Sequence, residues 1–280
     1  MIRTIYRNLF SENIRSKIFY FRKYFFVYKV FQEKIIESKN LNKKNNFKLL
    51  KSYEIKQPLM LITQLTRSGG SLLSQLLDGH TEYYSFPDEL KLNSYSKFDW
   101  PSLNNTKSVF RTMYSPRLHE LSTTGFHKGK DNRQRLKFNY SLYHQNIFFN
   151  KKLKQNKNNI ERDILDIYFS SFFSSWFNYR DNNSKKKFIT GFWPMLCHKK
   201  SNLDLYFRIY PDGKIISIFR DPVSWYISAK NHKSTSQWFV NIEEAASLWN
   251  QTNKQILEAH RNYKEKVLII KFEELIKHTE

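Results

Sequence analysis

From Pro58 onward, short apolar runs alternate with longer segments of helical period, and this alternation constrains the fold more than any other feature of the chain. A strand, a crossover helix and a second strand close with the two strands parallel, so a succession of such units builds a mostly parallel sheet flanked by helices. The apolar runs at 59–63, 188–190, 215–219 and 267–272 are predicted strands, with a further short one at 83–86, each bounded by charged or turn-forming residues. Helical spacing predicts helices at 71–77, 160–178, 222–231 and 242–261. The expected fold class is therefore α/β. Residues 91–159 show no clear period; ligand-binding loops and helices are expected there, because function in open α/β sheets gathers in loops beyond the strand ends.

Residues 1–38 read as one or two basic helices, with Arg15, Arg22 and Lys29 at heptad spacing and Ile18, Phe21, Phe25 and Tyr28 on another face. The simpler reading is a helix packed on the domain; the alternative is a peripheral helix lying on anionic lipid. Arg22, Lys23 and Lys29 interrupt the run of about 18 apolar residues that a spanning helix requires. The Lys/Asn-rich stretch 39–48 reads as a linker, which divides the chain into a helical extension with linker over 1–50 and an α/β domain over 57–280.

The formal net charge of +22 creates a field that attracts anions, whether nucleic acid, acidic membrane, acidic glycan or a phosphorylated small molecule. Part of the excess sits in the Lys/Asn runs 42–48, 151–159 and 182–187, which read as solvated loops. The aromatic residues, 17% of the chain, fall mostly within apolar strand and helix patterns, so core packing explains them better than stacking on bases, and nucleic acid is a disfavoured partner. A lone cysteine, Cys197, excludes an internal disulfide and a cysteine-based zinc site. The expected location is cytoplasmic, extending to the cytoplasmic membrane face if the N-terminal helix lies on lipid.

Two segments carry chemistry. In the first, the apolar run 59–63 leads through Thr66-Arg67-Ser68-Gly69-Gly70-Ser71 into a helix beginning Leu72-Leu73. That order brings backbone N–H groups and a helix N-terminus to one spot, with Gly69 and Gly70 permitting close approach, Ser68 and Ser71 offering hydroxyls and Arg67 a fork of donors. A nucleoside-triphosphatase loop requires lysine where Gly70 stands, so ATP hydrolysis and a P-loop kinase are disfavoured. In the second segment, Arg220 ends a strand, Asp221 is a good N-cap and Pro222 suits the first helical position. Arg220 could grip a second anionic group together with Ser228, or simply pair with a carboxylate.

Taken together, the two segments resemble the sulfotransferase family, whose members use 3′-phosphoadenosine 5′-phosphosulfate. There a loop of proline, a basic residue, serine, glycine, two hydroxyl residues, any residue and leucine holds the 5′-phosphosulfate, and Arg67, Ser68, Gly69, Gly70, Ser71, Leu72 and Leu73 follow that pattern. An arginine and, eight positions on, a serine hold the 3′-phosphate in the family; Arg220 and Ser228 have that spacing. Tyr210-Pro211-Asp212-Gly213-Lys214 and Lys271-Phe272-Glu273-Glu274-Leu275 also look like the family. Thr66 departs from the usual proline, and Gly70 from the first hydroxyl residue. The chain stops soon after Phe272, where family members commonly continue, so a truncated domain is one expectation.

The resemblance implies a P-loop-like three-layer architecture and transfer of a sulfuryl group from that nucleotide to a hydroxyl or amine, with no metal. Arg67 and the N–H groups of 69–71 would stabilise the leaving phosphate. In protein-tyrosine and related sulfotransferases a glutamate lies at about the distance from the loop arginine at which Asp88 and Glu89 stand here, so either is a candidate base; a carboxylate pair at a helix N-terminus is the rival reading. His80, His127 and His198 are outside candidates. The acceptor has no motif, although the basic loops suit an anionic glycan. The alternative functions are an inactive relative that binds a nucleotide or polyanion, and a basic nucleic-acid-binding protein.

Overall fold

The computed structural model describes residues 12–45, 52–90, 110–111, 113–127, 135–157, 160–180, 185–233 and 235–278. Helix α1 (Glu12–Asn45) precedes strand β1 (Leu59–Ile62), helix α2 (Gly70–Leu76) and strand β2 (Tyr83–Glu89). The middle of the chain contains α3 (Pro116–Thr124), the short strands β3 (Phe126–His127) and β4 (Arg135–Leu136), α4 (Leu142–Gln155) and α5 (Glu161–Ser174). Then follow β5 (Phe188–Phe192), α6 (Lys200–Ile209), β6 (Lys214–Phe219), α7 (Pro222–Asn231), α8 (Ile242–Asn262), β7 (Val267–Lys271) and α9 (Phe272–Lys277).

Five strands form one sheet in the order β2-β5-β1-β6-β7, and all of its pairings are parallel. Every strand therefore points its carboxyl end at the same edge. The chain leaves β1 for β2 and β5 on one side and later crosses to β6 and β7 on the other, which puts a topological switch point at the carboxyl end of β1.

Alternation along the strands splits the core between the two faces. Leu59, Leu61, Ile189, Ile215 and Val267 pack against an aromatic-rich layer that includes Phe169, Phe172 and Phe173 of α5 and Tyr206 and Phe207 of α6. Ile62, Phe192 and Ile218 face the other way, onto Leu73 of α2 and Phe272 and Leu275 of α9. The result is the expected three-layer α/β architecture with unequal outer layers. Helix α6 was not expected from the pattern, yet Leu203, Tyr206 and Phe207 fall at helical spacing and are buried.

Two readings of the polar segments need correction. Residues 39–45, read as linker, continue helix α1. The reason is tertiary: Asn42, although polar, is buried and donates through Nδ2 to the Ser141 hydroxyl at 2.6 Å, beside a buried Ser38. Likewise residues 151–155 of the run 151–159 are not loop but the last turn of α4. Helix α1 also docks through Phe31, whose ring lies 5.9 Å from that of Phe110 and 5.2 Å from that of Tyr114. The side chains of Arg15, Ile18, Phe21, Arg22 and Phe25 lie outside the described ones. Among the described residues no helix is long and apolar enough to cross a membrane.

Candidate active site

The loop after β1 is fixed to its neighbours before it reaches Arg67. Gln64 accepts from the Met195 N–H at 2.9 Å through its backbone carbonyl, and the Thr66 carbonyl accepts from the Trp225 indole N–H at 2.8 Å. The Thr66 N–H points to the Met195 sulfur at 3.3 Å. Proline has no N–H to offer, so threonine here adds an anchor that the usual residue could not make. Leu65, Met195 and Trp225 form a small apolar cluster with Ala229 and Phe239 beneath this anchor.

Beyond it the backbone turns through two left-handed residues, Arg67 at φ 71° and Gly69 at φ 103°. Ser68 between them is buried and donates its N–H to the Leu65 carbonyl at 3.2 Å. Arg67 and Ser71 are exposed and Leu72 is half-buried. Gly69 caps α2 without any side-chain hydrogen bond, so the first amides of the helix keep their donors turned to the loop. Neither glycine has room for a side chain. A Cβ on Gly69 would stand 2.5 Å from the Phe272 ring, and one on Gly70 would stand 2.0 Å from Gln64 Nε2 and 2.5 Å from Phe192.

The second segment meets the first directly. Arg220, just past β6, donates from Nη1 to the Arg67 carbonyl at 3.0 Å and from Nε to the Ser224 hydroxyl at 3.4 Å. Its guanidinium lies over the Phe272 ring, 4.4 Å from the centroid. Asp221 caps α7 by accepting from the Ser224 N–H at 2.8 Å, and its own N–H is taken by Glu273 Oε1 at 3.2 Å. Ser228 is half-buried one turn beyond Ser224, on the same face of α7. Phe272 therefore touches both segments, Gly69 on one side and Arg220 on the other. The sequence displayed Phe272 and Glu273 in a recognisable run but assigned them no role.

Asp88 and Glu89 do not follow β2 but form its last residues, at the same edge of the sheet as the loop. Asp88 Oδ2 accepts from the hydroxyl of the buried Ser115, the N-cap of α3, at 2.6 Å. Glu89 lies opposite Phe192 in the ladder, and Phe192 in turn packs against Gly70. Burial pushes the hydroxyl of Tyr168 to a high pKa, and the charge of Asp88 adds to that shift.

The structure does not bring the histidines to this edge in the same way. His80 stacks on Tyr83 at the opening of β2, with ring centroids 4.4 Å apart, at the far end of the strand from Asp88. His127 lies in β3 opposite Arg135. His198 is held 3.1 Å from the Thr252 hydroxyl of α8, and burial lowers its pKa. Among the described residues there is no group of three or more His, Cys, Asp or Glu that could hold a metal ion.

A glycine loop at a switch point, crossed by an arginine from a neighbouring strand end, defines a parallel α/β protein of the phosphate-loop class. Residues 58–280 match the model of the sulfotransferase family, and the chain belongs to that family. Solved structures with a similar arrangement include the sulfotransferase domain from the curacin biosynthetic pathway, at 18% identity over 80% of this chain and 70% of that one, with a TM-score of 0.43. A sulfotransferase from Alicyclobacillus acidocaldarius is 16% identical over 79% and 76% of the two chains, with a TM-score of 0.42. One from Mycobacterium avium is 13% identical over 90% and 68%, also with a TM-score of 0.42. Likenesses this distant do not bear on the reaction, and the assignment rests on the family match. No curated protein matches the chain at significance.

Proposed function

We propose that this sulfotransferase takes its sulfuryl group from 3′-phosphoadenosine 5′-phosphosulfate and passes it to a hydroxyl or amine of an acceptor entering past β2 and α3. The observation that carries this reading is the hydrogen bond from Arg220 to the Arg67 carbonyl across a shared Phe272 ring, which makes one site of two segments far apart in sequence. A ligand with anionic groups at both ends of a nucleoside would engage both sets of donors at once. The loop amides at 69–71 and Arg67 face its 5′ end; the remaining N–H groups of Arg220 and the Ser228 hydroxyl face its 3′-phosphate.

In the transfer, the acceptor oxygen or nitrogen forms a bond to sulfur as the bond from sulfur to the bridging phosphate oxygen breaks. Adenosine 3′,5′-bisphosphate leaves, and the acceptor proton goes to a carboxylate. Asp88 is taken as the base, because Ser115 fixes the orientation of its carboxylate, as a third group commonly orients a base. No step in this scheme requires a metal. The net charge of +22 favours an anionic acceptor such as an acidic glycan over a neutral small molecule. A cytoplasmic setting suits the single, buried cysteine, and the docking of α1 through Phe31 and Asn42 favours packing on the domain over a role on lipid.

The test is calorimetric titration with adenosine 3′,5′-bisphosphate and with adenosine 5′-monophosphate, on the native protein and on Arg220→Ala. The native protein should prefer the bisphosphate. The variant should lose at least about tenfold in affinity for it, the value of a charge-assisted contact, while the monophosphate is little affected. Equal affinities for the two nucleotides, or a variant as tight as native, would sink the proposed donor site.

A further inference from the structure

Two bonds tie the loop after β1 to the segment at Arg220, and they differ in kind. The first, from Arg220 Nη1 to the Arg67 carbonyl at 3.0 Å, is made by a half-buried side chain whose other N–H groups are assigned above to the ligand. The second, from the Trp225 indole N–H to the Thr66 carbonyl at 2.8 Å, is made by a side chain only 1% exposed, too enclosed to meet a ligand itself. The Trp225 ring packs edge-on against Phe239, with centroids 5.3 Å apart, and shares an apolar cluster with Leu65 and Met195. Phenylalanine could fill most of that apolar space. What tryptophan adds is the N–H, and it is directed at the residue that precedes Arg67.

We infer that Trp225 is a positioning residue: its indole bond fixes the span between the loop that meets the donor's 5′ end and the helix that meets its 3′-phosphate, and so makes the site selective for a nucleotide phosphorylated at both ends. The inference rests on the nucleotide reading above, which supplies the two-ended ligand. Trp225 stands where such a tie is useful. Ser224, which accepts from Arg220 Nε at 3.4 Å, precedes it in α7, and Ser228 follows three positions on. The hydrogen bonds that Gln64 and Thr66 make with Met195 hold the loop to the segment after β5, not to α7. A ligand bound at one end meets its second contact at an effective concentration that falls as the span between the two sites spreads. A packed indole, with few rotatable bonds, narrows that spread. The long side chain of Arg220 holds the span less firmly, and the ligand itself engages it.

The experiment compares native protein, Trp225→Phe and a form carrying benzothienylalanine at position 225, whose bicyclic ring keeps the volume of indole but has sulfur in place of the N–H. Each is titrated with adenosine 3′,5′-bisphosphate, adenosine 5′-monophosphate and adenosine 3′-monophosphate, below its unfolding midpoint. Both replacements should lose about fivefold in affinity for the bisphosphate, the value of one neutral hydrogen bond, and little for either monophosphate, because a single end needs no fixed span. If Trp225→Phe fails to fold, the isosteric form decides alone. Should that form bind all three nucleotides like the native protein, or lose affinity for all three alike, Trp225 is merely structural and the inference is wrong while the nucleotide site stands. Failure of the native protein to prefer the bisphosphate over both monophosphates would overturn the nucleotide reading and this inference with it.

Discussion

Substituting Gly69 by alanine should damage stability and ligand binding together, and the structure gives the sizes of the parts. Gly69 sits at φ 103°, where an L side chain is strained by about 1–2 kcal/mol. The added methyl would also lie 2.5 and 2.7 Å from two carbons of the Phe272 ring, an overpacking that costs roughly 1–3 kcal/mol. The sum, about 2–5 kcal/mol, is a large share of the 5–15 kcal/mol that typically holds a domain together. Because Arg220 stacks on that same ring at 4.4 Å, a displaced Phe272 also moves the arginine away from its place above Arg67. Chemical denaturation of Gly69→Ala, Phe272→Ala and the double variant separates the two parts. Removing the ring should relieve the overpacking but not the backbone strain, so the two substitutions should couple by about 1–3 kcal/mol. Titration with adenosine 3′,5′-bisphosphate, carried out at a temperature where all variants are folded, should show Gly69→Ala weakened. Substitutions that add within about 0.5 kcal/mol would refute the wedge role of Phe272, and so would a folded Gly69→Ala with native affinity.

Asp88→Asn should lower turnover at least about a hundredfold, the low end for a general base, with nucleotide binding preserved, whereas Glu89→Gln should leave most of the activity. Steady-state rates with a range of acceptors check this, and the reverse pattern would transfer the role to Glu89. Asp166 lies buried in α5, bonded to the Tyr210 hydroxyl at 2.9 Å, and burial pushes its pKa from 3.8 up to about 6 against the opposing pull of Tyr210 and Arg162. Between those two values the folded state binds a proton that the unfolded chain has released, so this group's contribution to stability is full only below about pH 4 and is lost as the pH rises through about 6. Relative to Asp166→Asn, the native protein should lose about 2 kcal/mol between those limits. Denaturation midpoints measured across that range would run parallel in the two proteins if the burial argument were wrong.

Much of the site was legible because its parts are local. Strand, turn residues and helix start are contiguous around Arg67 and again around Arg220, and short-range rules of capping and glycine conformation identify them without tertiary knowledge. Asp221 does cap α7, with Pro222 at its first position. What failed to show was whatever depends on partners distant in sequence. Residues 39–45 look like a linker because lysine and asparagine dominate them, and only the buried bond from Asn42 to Ser141 makes helix the better state. Asp88 and Glu89 belong to β2 because the strand runs on beside Phe192, beyond the apolar run that predicted its end at 86. Helix α6 escaped because it is only ten residues long, although Leu203, Tyr206 and Phe207 line its buried face and Asp204 and Arg208 share the opposite one.

The sequence by itself determined the α/β class, the parallel sheet and the two strand-turn-helix segments proposed to bind the donor, since hydrophobic period and turn chemistry are written residue by residue along the chain. Only the tertiary structure decided that the two segments share one ring, that Arg220 reaches the backbone of Arg67, and that Gln64 fills the space left by Gly70. Those contacts join residues brought side by side by strand order and crossover, and the order of strands in a sheet is set by how all the helices pack on it at once, which no local pattern encodes.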